Sequence, residues 1–252
     1  NVYVGQLLSG TNIAATARVA SIDSATQITM TVAATGTTGG VTVTFSRLAK
    51  IIDSNFPTSV GVFSELDGSL YIMDSAGNIR GSSINSVRTW PALNSIPSSP
   101  FSGQGIGVGR VGSEIIGITT ASTDFFFNAG NPSGSLLSRS KDKTKKIGGV
   151  SPNGVVALMT YAVFKDRLCF ISSDGTQRPV YSITPNGIEE ISTTIISRIN
   201  LTCFMNIAVL AGRQVCLLSS TADASLVFVY DFSTKLWGKS GFSTTGGPVY
   251  TF

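Results

Sequence analysis

The sequence predicts an all-β protein with a β-propeller-like domain, and two observations lead to that prediction. First, Val163–Tyr181 contains two apolar runs joined by a Ser-Ser-Asp-Gly turn, and Asp-Gly between such runs is a strong hairpin signal. Second, three further stretches align with this hairpin at spacings of 45, 53 and 47 residues; the equivalent first positions are Leu70, Ile115, Leu168 and Val215. A loose period of 45–53 residues is typical of propeller blades.

The composition agrees with a large β domain whose outer surface carries little charge. The chain has 252 residues, which is enough to bury a substantial core. Charged residues make up 13% of the chain, against about 25% in an average protein. The net charge of +4 is small for this length and only weakly favours a nucleic-acid partner. The chain has no histidine, which removes the commonest general base and the commonest metal ligand.

Residues 1–55 are predicted to form a Thr-rich β-hairpin arm, and residues 56–252 the propeller-like domain. In the arm, apolar residues alternate with polar ones, mainly threonine, at Ile28, Met30, Val32, Val41, Val43 and Phe45. A two-stranded hairpin is marginal in water, so the arm must dock on its own domain or on a neighbouring subunit, and we favour the neighbour. Because the first residue is Asn and not Met, we expect the chain to be part of something longer; no targeting segment is visible.

One short helix or turn and one helix interrupt the predicted strands. Residues 45–55 place apolar side chains at helical spacing and predict a short helix or turn at the domain boundary. Isoleucines recur at three- and four-residue spacing through residues 188–199, and Ser192 can cap a helix that ends at Asn200.

Proline and glycine mark two further features. Three prolines among serines in Trp90–Phe101 exclude regular structure and predict a long connection between blades. Glycine then occupies every second position from Gly103 to Gly109, so these residues share one side of a strand. A strand with one bare face lets another backbone approach closely, as inner propeller strands require.

The cysteines predict neither a disulfide framework nor a zinc site, because Cys169, Cys203 and Cys216 are few and scattered. Cys169 and Cys216 fall at similar blade positions inside apolar runs, which predicts buried free thiols. The longest nearly apolar run, Val155–Phe164, is much shorter than the roughly 18 residues of a membrane-spanning helix. We therefore predict no metal, no cofactor and no membrane span.

The absence of histidine does not exclude glycoside hydrolysis by a pair of carboxylates, because glycosidases need only two acids at the right separation. The available acids are Glu65, Asp67, Asp74, Asp174, Glu189 and Glu190. Asp67 and Asp174 each precede a glycine, where Asp is expected for turn formation alone. Glu189 and Glu190 are adjacent and cannot share a strand face. The glycine run fails as a dinucleotide motif, since residue 108 is not glycine and a strand follows. We predict no catalytic residue.

The densest charge is a basic segment interrupted by Asp142, and its members are Arg139, Lys141, Lys143, Lys145 and Lys146. Two interpretations stay open: a flexible solvated loop, or a patch that faces phosphate on passing DNA or an acidic partner surface. No aromatic residue is interleaved with these cations, which disfavours stacking of single-stranded bases.

Ordered motifs between residues 122 and 237 resemble a known family. They are Phe127-Asn128-Ala129-Gly130, Ile147-Gly148, Val180-Tyr181 and Ile191-Ser192-Thr193. In this order they resemble the tail hub or nozzle proteins of short-tailed bacteriophages, also described as phage stabilisation or tail accessory factors. Val229–Trp237 resembles the Tyr-Asp-x-x-Thr-x-x-Trp turn of that family, which kelch-type propeller blades also use. One departure is Ala211-Gly212-Arg213, where the family tends to carry Gly-His.

The resemblance implies a structural virion protein and not an enzyme. It implies a homo-oligomeric ring in the phage tail, a hexamer, that contacts a tail adaptor protein on one side and a fibre, spike or needle protein on the other, with DNA passing through during ejection. Two other classes remain open. One is a propeller-type glycosidase or tailspike depolymerase acting on host polysaccharide; the other is a kelch-like interaction module. Tyr230, Trp237 and Phe242 are interpreted as blade-edge packing residues.

Overall fold

The computed structural model describes residues 2–37, 39–49, 51–150, 161–172, 178–192, 203–220, 226–243 and 247–251. The chain forms two compact units. The first comprises Asn1–Phe56 and Ser86–Trp90, and the second comprises Pro57–Asn85 and Pro91–Phe252. Residues 86–90 thus return to the first unit, which the predicted division at residue 55 did not include.

The first unit consists of two antiparallel pairs of short strands around a small apolar cluster. Strand β1 (Gln6–Ser9) pairs with β4 (Thr44–Ala49), and β2 (Val19–Ser24) pairs with β3 (Gln27–Met30). Leu8, Ala17 and Val19 are fully buried, and the side chains packed against them include Ile28, Met30, Val43 and Phe45. The predicted alternation therefore turns Ile28, Met30, Val43 and Phe45 toward this unit's own cluster, whereas Val32 and Val41 are exposed. Docking on a neighbouring subunit stays a prediction.

The short helix or turn predicted over residues 45–55 is wrong for residues 45–49, which belong to β4; a turn is present at residues 54–55. Phe45 lies in β4 opposite Leu8, where the strand pairing satisfies the backbone and the phenyl ring packs on the small cluster. The helical spacing of apolar residues was misleading because tertiary pairing decided the local conformation.

Farther along, Asp53 accepts a hydrogen bond from the Trp90 backbone N–H at 2.9 Å, and the Phe56 ring lies 5.1 Å from the Trp90 ring. These contacts hold residues 86–90 in the first unit.

The described part of the second unit forms four antiparallel sheets in chain order, which confirms the predicted all-β, propeller-like fold. The first sheet contains β5 (Ser59–Leu66), β6 (Ser69–Asp74), β7 (Asn78–Gly81) and β8 (Ser95–Pro97). The second contains β9 (Gly105–Val111), β10 (Glu114–Thr119), β11 (Thr123–Asn128) and β12 (Leu137–Arg139), and the third contains β13 (Tyr161–Phe164), β14 (Arg167–Ile171), β15 (Val180–Thr184) and β16 (Gly187–Glu190). The fourth contains β17 (Cys203–Leu210), β18 (Arg213–Ser220), β19 (Leu226–Asp231), β20 (Leu236–Ser243) and β21 (Gly247–Thr251). Within each of these sheets, every strand pairs with the next strand along the chain.

In the second unit, the first hairpin of each of the four sheets closes with a two-residue turn whose first residue has a positive φ. These φ values are 51° at Asp67, 59° at Gly112, 54° at Lys165 and 49° at Ala211. Two-residue turns of this kind match the right-handed twist of the flanking strands. The recurrence predicted from the sequence is thus a recurrence of the same hairpin.

The turns also correct one position of the predicted alignment. Counted from the turn, Leu70, Ile115 and Leu168 are each the second residue of the second strand, and the fourth equivalent is Gln214, not Val215. The alignment by apolar runs was therefore shifted by one residue in the last repeat. Because successive side chains of a strand point to opposite faces, a shift of one residue changes which neighbouring sheet a side chain contacts.

Consecutive sheets pack face to face through apolar clusters. Ile115 on β10 packs toward the first sheet with Tyr71 and Met73, whereas its neighbour Ile116 packs toward the third sheet with Leu168 and Phe170. Both faces of such a strand are buried, which explains why its sequence is a nearly continuous apolar run. The first strands of neighbouring sheets lie side by side, β5 next to β9 and β13 next to β17, as propeller blades require.

Two predictions about the stretch around residue 100 are corrected. Trp90–Phe101 was expected to lack regular structure, but it contains β8, which ends at Pro97. An edge strand tolerates proline because its outward N–H needs no partner in the ladder. The glycines of β9 do not share one face: a Cβ at Gly105 would lie 2.1 Å from the Asp74 carbonyl of the first sheet, and one at Gly109 would lie 2.3 Å from Leu168 of the third. A register shift in the β9–β10 pairing separates them.

Two predicted features lie outside the described residues. The helix after Ser192 is one, and the Asp174-Gly175 turn is the other. The strands that flank this turn pair as predicted, with Ile171 opposite Val180.

Candidate functional site

The basic segment predicted from the sequence forms a strap along the edge of the second sheet, and we call residues 139–146 the basic strap. The Ser140 N–H donates to the Phe125 carbonyl at 2.8 Å, and Lys145 exchanges backbone hydrogen bonds with Thr123 at 2.9 and 3.0 Å. A short 3₁₀ helix, Lys141–Lys143, lies between these anchor points. The strap is thus fixed to β11 by its backbone and is not a loop free of the sheet.

A buried carboxylate beneath the strap anchors it further. Asp124 on β11 is fully buried and accepts hydrogen bonds from Ser122 Oγ at 2.5 Å and Thr144 Oγ1 at 2.9 Å. Arg139 Nε forms an ion pair with it at 3.4 Å. Burial raises the pKa of Asp124, and the two hydroxyl donors and Arg139 oppose that rise. Ser122 Oγ also lies 2.6 Å from Ser99 Oγ, so the network reaches the segment that follows β8.

Two of the five basic side chains are neutralised within the second sheet. Arg139 pairs with Asp124, and Lys143 Nζ lies 2.9 and 2.8 Å from the two carboxylate oxygens of Glu114. Lys141, Lys145 and Lys146 form no ion pair with any residue that the structure describes. The sequence-predicted patch is therefore reduced to three cations with Asp142 among them.

A cleft of roughly 220 Å³ lies between the basic strap and the third sheet. Its walls are Phe125, Asp142, Lys143 and Lys145 on one side and the turn at residues 185–188 on the other. Asp142 and the Glu114 partner of Lys143 offset the positive charge at its rim. The cleft thus has little net charge of either sign to select a small ionic ligand.

The carboxylates considered for glycosidase chemistry are each held by neighbouring groups. Glu65 pairs with Arg110 Nη1 at 2.9 Å and accepts the Gly68 N–H at 2.8 Å. Asp67, in the first turn, accepts a hydrogen bond from Asn128 Nδ2 at 2.7 Å. These bonds fix the β5–β6 turn against the second sheet.

The remaining acids have similar structural partners. Asp74 accepts hydrogen bonds from Asn78 and faces Arg80 at 3.5 Å, which closes the β6–β7 turn. Glu189 pairs with Lys235 at 2.9 Å, and Ser192 Oγ lies 3.4 Å from Glu190. Asp174 lies outside the described residues.

The motifs that carry the family resemblance lie at contacts between neighbouring sheets or within one sheet and the segment that follows it. Asn128, at the end of β11, bridges the second sheet to Asp67 of the first and also accepts the Gly130 N–H at 3.0 Å. Gly148 has no room for a side chain, because a Cβ there would lie 2.0 Å from the Thr120 carbonyl oxygen.

The later motifs connect to one another. Ser192 Oγ accepts a hydrogen bond from the Val180 N–H at 2.8 Å, which ties the segment after β16 to the start of β15. The Trp237 indole N–H donates to the Ile191 carbonyl, so the fourth sheet is bonded to the third through two motif residues. Tyr230 is buried and its ring lies 5.1 Å from that of Trp237, in agreement with the packing role predicted for both. The structure does not describe the side chain of Phe242.

The turn after β19 is organised by Asp231. Its carboxylate accepts the Ser233 N–H at 2.8 Å, the Ser233 hydroxyl at 2.6 Å and Arg213 Nη1 at 3.0 Å. The two bonds from Ser233 are the main reason that the pKa of Asp231 falls to about 2. Arg213 stands where the resembling family tends to carry histidine, and its bond to Asp231 supplies the local hydrogen bonding.

Sequence reasoning missed Asp124 and Glu114, the two acids that hold the strap. A usable signal was present: Asp124 precedes three phenylalanines in a run predicted to be a buried strand. A buried carboxylate needs hydrogen-bond or charge partners, so it predicts a nearby cation.

Metal-ligating side chains do not cluster in the described ranges: no group of three or more His, Cys, Asp or Glu is placed to hold an ion. Within the same ranges, no helix has both the length and the apolar character needed to cross a bilayer.

Comparison with known proteins finds similarity at the level of structure. No family model matches the chain, and no curated protein matches its sequence. BamB from Moraxella catarrhalis aligns over 77% of this chain and 58% of its own, at 13% identity and a TM-score of 0.42. Human WBSCR16 aligns over 66% and 45%, at 13% identity and a TM-score of 0.36. The Pan2 WD40 domain of Neurospora crassa aligns over 80% and 78%, at 12% identity and a TM-score of 0.30.

The chain thus spans less than two thirds of the BamB and WBSCR16 chains that it matches. With identities of 12–13% and TM-scores below 0.5, this likeness carries no argument about the chain beyond its own strand order.

Proposed function

We propose that this chain is a structural subunit of the tail nozzle or hub ring of a short-tailed bacteriophage, located in the virion tail. The observation that carries the proposal is the position of the resembling motifs. Asn128, Val180, Ile191, Ser192 and Trp237 form the hydrogen bonds that join neighbouring sheets or close a sheet. Motifs in such positions would be kept by a family that shares this blade arrangement.

The proposed ring is homo-oligomeric, a hexamer by resemblance, between a tail adaptor protein and a fibre, spike or needle protein. Stiff sheets packed face to face suit a wall component that must hold its shape while DNA passes during ejection. The coarser function, a propeller-type protein-interaction module, follows from fold-level analogy alone. Kelch-like modules fall within that coarser class.

Electron microscopy and mass photometry of the purified chain test the ring. We expect closed rings, alone or after addition of the adaptor protein encoded near it, with a mass that is a whole multiple of the 26.3 kDa subunit. Portal and terminase genes beside the coding gene would place it in a virion. Stable monomers that form no ring even with these tail proteins would overturn the proposal.

A depolymerase would act through paired acids, but the described candidates already have structural partners. The proposal is therefore that the chain is not an enzyme. Incubation with capsular or cell-wall polysaccharide of the host is expected to release no oligosaccharide. Cleavage by the wild-type chain that Asp67→Asn or Asp74→Asn abolishes would favour the depolymerase instead.

The basic strap is proposed to face DNA or an acidic partner with the cations that lack an ion pair. Replacing Lys141, Lys145 and Lys146 with Ser is expected to slow DNA ejection while the ring still assembles. Lys143→Ser is the matched control, because that side chain is already neutralised by Glu114. Unchanged ejection in the triple variant would remove this role.

A further inference from the structure

The third and fourth sheets bring two cysteines face to face. Cys169 lies on β14 and Cys216 on β18, and both belong to the apolar cluster between these sheets. Each is fully buried, and neither forms a disulfide. This confirms the predicted buried free thiols, and the structure adds that both lie in the same apolar cluster, on the facing sides of the two sheets.

A one-residue offset makes the contact possible. Counted from the first turn of each sheet, Cys169 is equivalent to Val215 and not to Cys216. Equivalent positions would face the same way around the series of sheets and could not meet. Because Cys216 comes one residue later, its side chain turns back toward the third sheet, while that of Cys169 points forward to the fourth.

The surroundings keep the pair reduced while the sheets are closed. The hydrogen bond with Cys169, followed by burial, raises the pKa of the Cys216 thiol well above its ordinary value. Thiolate is the reactive form, so a thiol with a raised pKa exchanges slowly. The apolar neighbours, among them Ile171, Val180 and Leu218, also exclude a soluble oxidant.

We infer that Cys169 and Cys216 form a reversible disulfide that joins the third and fourth sheets when these sheets separate transiently in the presence of a low-molecular-weight disulfide. With oxidised glutathione, one cysteine thiolate attacks a glutathione sulfur and releases one glutathione thiolate. The second cysteine, once deprotonated, then attacks the protein sulfur of the mixed disulfide and releases the other. Two cysteines are oxidised and one glutathione disulfide is reduced; the two protons that the cysteines lose pass through solvent to the two glutathione thiolates, which become thiols.

The cross-link would close the stretch between β14 and β18 into a loop and restrict the unfolded chain. The oxidised protein should therefore melt at a higher temperature than the reduced protein, by roughly 5 °C or more. Dithiothreitol should reverse the increase.

The test is oxidation of the full-length chain by oxidised glutathione in buffer and in urea below the unfolding transition. Peptide mapping by mass spectrometry identifies the linked cysteines. We expect a Cys169–Cys216 disulfide that forms slowly in buffer and at least several-fold faster in urea, because urea favours opening of the sheets. Cys203→Ser is the matched control and should form the same disulfide at the same rate.

Cys169→Ala and Cys216→Ala should each abolish the cross-link and the gain in melting temperature. Since the wild-type protein and Cys203→Ser carry the test, a folding defect in either alanine variant does not obscure it. A disulfide that involves Cys203, or a wild-type chain whose Cys169 and Cys216 stay unlinked in urea, would overturn the inference. Neither result bears on ring assembly, so the proposed function is tested separately.

Discussion

Asp124 in the second sheet and Asp231 in the fourth have similar partners and opposite pKa shifts. Each carboxylate accepts a serine hydroxyl and faces an arginine. Yet the pKa of Asp124 is raised, whereas that of Asp231 falls to about 2. The number of partners therefore does not decide the direction of the shift.

Both carboxylates are buried, so the depth of burial and the kind of donor account for the difference. Asp124 lies under the basic strap with its side chain fully covered and receives side-chain donors, so desolvation of the charge outweighs their bonds. Asp231 is also largely buried, with 8% of its side chain exposed, but the backbone N–H and the hydroxyl of Ser233 in the following turn both donate to it and outweigh the desolvation. The turn at Ser233 thus stabilises the ionised form of Asp231. The buried network of Asp124 with Ser122, Thr144 and Arg139, which we call the clamp, instead ties the basic strap to β11 although burial disfavours the charge of Asp124.

The largest expected effect is on the clamp. Asp124→Ala removes the acceptor of Ser122 and Thr144 and the ion-pair partner of Arg139, and we expect it to cost about 3 kcal/mol of stability. Urea unfolding followed by tryptophan fluorescence and by hydrogen exchange in the second sheet measures the loss. Asp124→Asn is the control and should cost much less, because the neutral amide needs no charge compensation. Equal losses in both variants would contradict the clamp.

A smaller effect is expected from one of the clamp's donors. Ser122→Ala leaves the buried carboxylate with one hydroxyl donor fewer and should cost about 1.5 kcal/mol. The same unfolding assay measures it. Ser99→Ala, which removes only the outer hydroxyl of the network, should cost less than Ser122→Ala. A reversed order would show that Ser99, and not Ser122, supports Asp124.

The pH dependence of stability should have opposite signs at the two aspartates. The folded-state pKa of Asp124 is raised above 3.8, so its contribution is fully present below 3.8 and is lost as pH rises through the raised value. The pKa of Asp231 falls from 3.8 to about 2, so its contribution is present above 3.8 and is lost as pH falls toward 2.

Urea midpoints between about pH 2 and pH 7 check this sign. Relative to Asp124→Asn, the wild-type protein should lose stability as pH increases; relative to Asp231→Asn, it should gain stability as pH increases from about 2 to 4. Slopes of the same sign for the two pairs would show that burial does not govern Asp124.

The smallest expected effect is at the turn. Ser233→Ala removes the hydroxyl bond to Asp231 but keeps the backbone N–H bond, so the pKa of Asp231 should move partway back toward 3.8. Carboxyl NMR titration measures the change, while the thermal midpoint at neutral pH should hardly move. Thr234→Ala, whose backbone alone faces Asp231, is the control and should leave that pKa where it is.

The sequence by itself determined the fold class and the repeating hairpins. Asp67-Gly68 specifies a tight turn through backbone geometry, and the apolar runs around Ile115 and Leu168 specify strands buried on both faces. These signals are local, so they can be recognised without knowledge of distant residues. The position of the basic segment could also be read directly.

Only the tertiary structure decided which of those residues meet. Phe45 became part of a strand because β1 lies beside it. Two of the five cations predicted for the strap are paired with Glu114 and Asp124, which are distant in sequence or hidden in an apolar run. The contact between Cys169 and Cys216 depends on a shift of one residue between two sheets. Such outcomes depend on strand register and on burial, and both are properties of the packed sheets that no short stretch of sequence encodes.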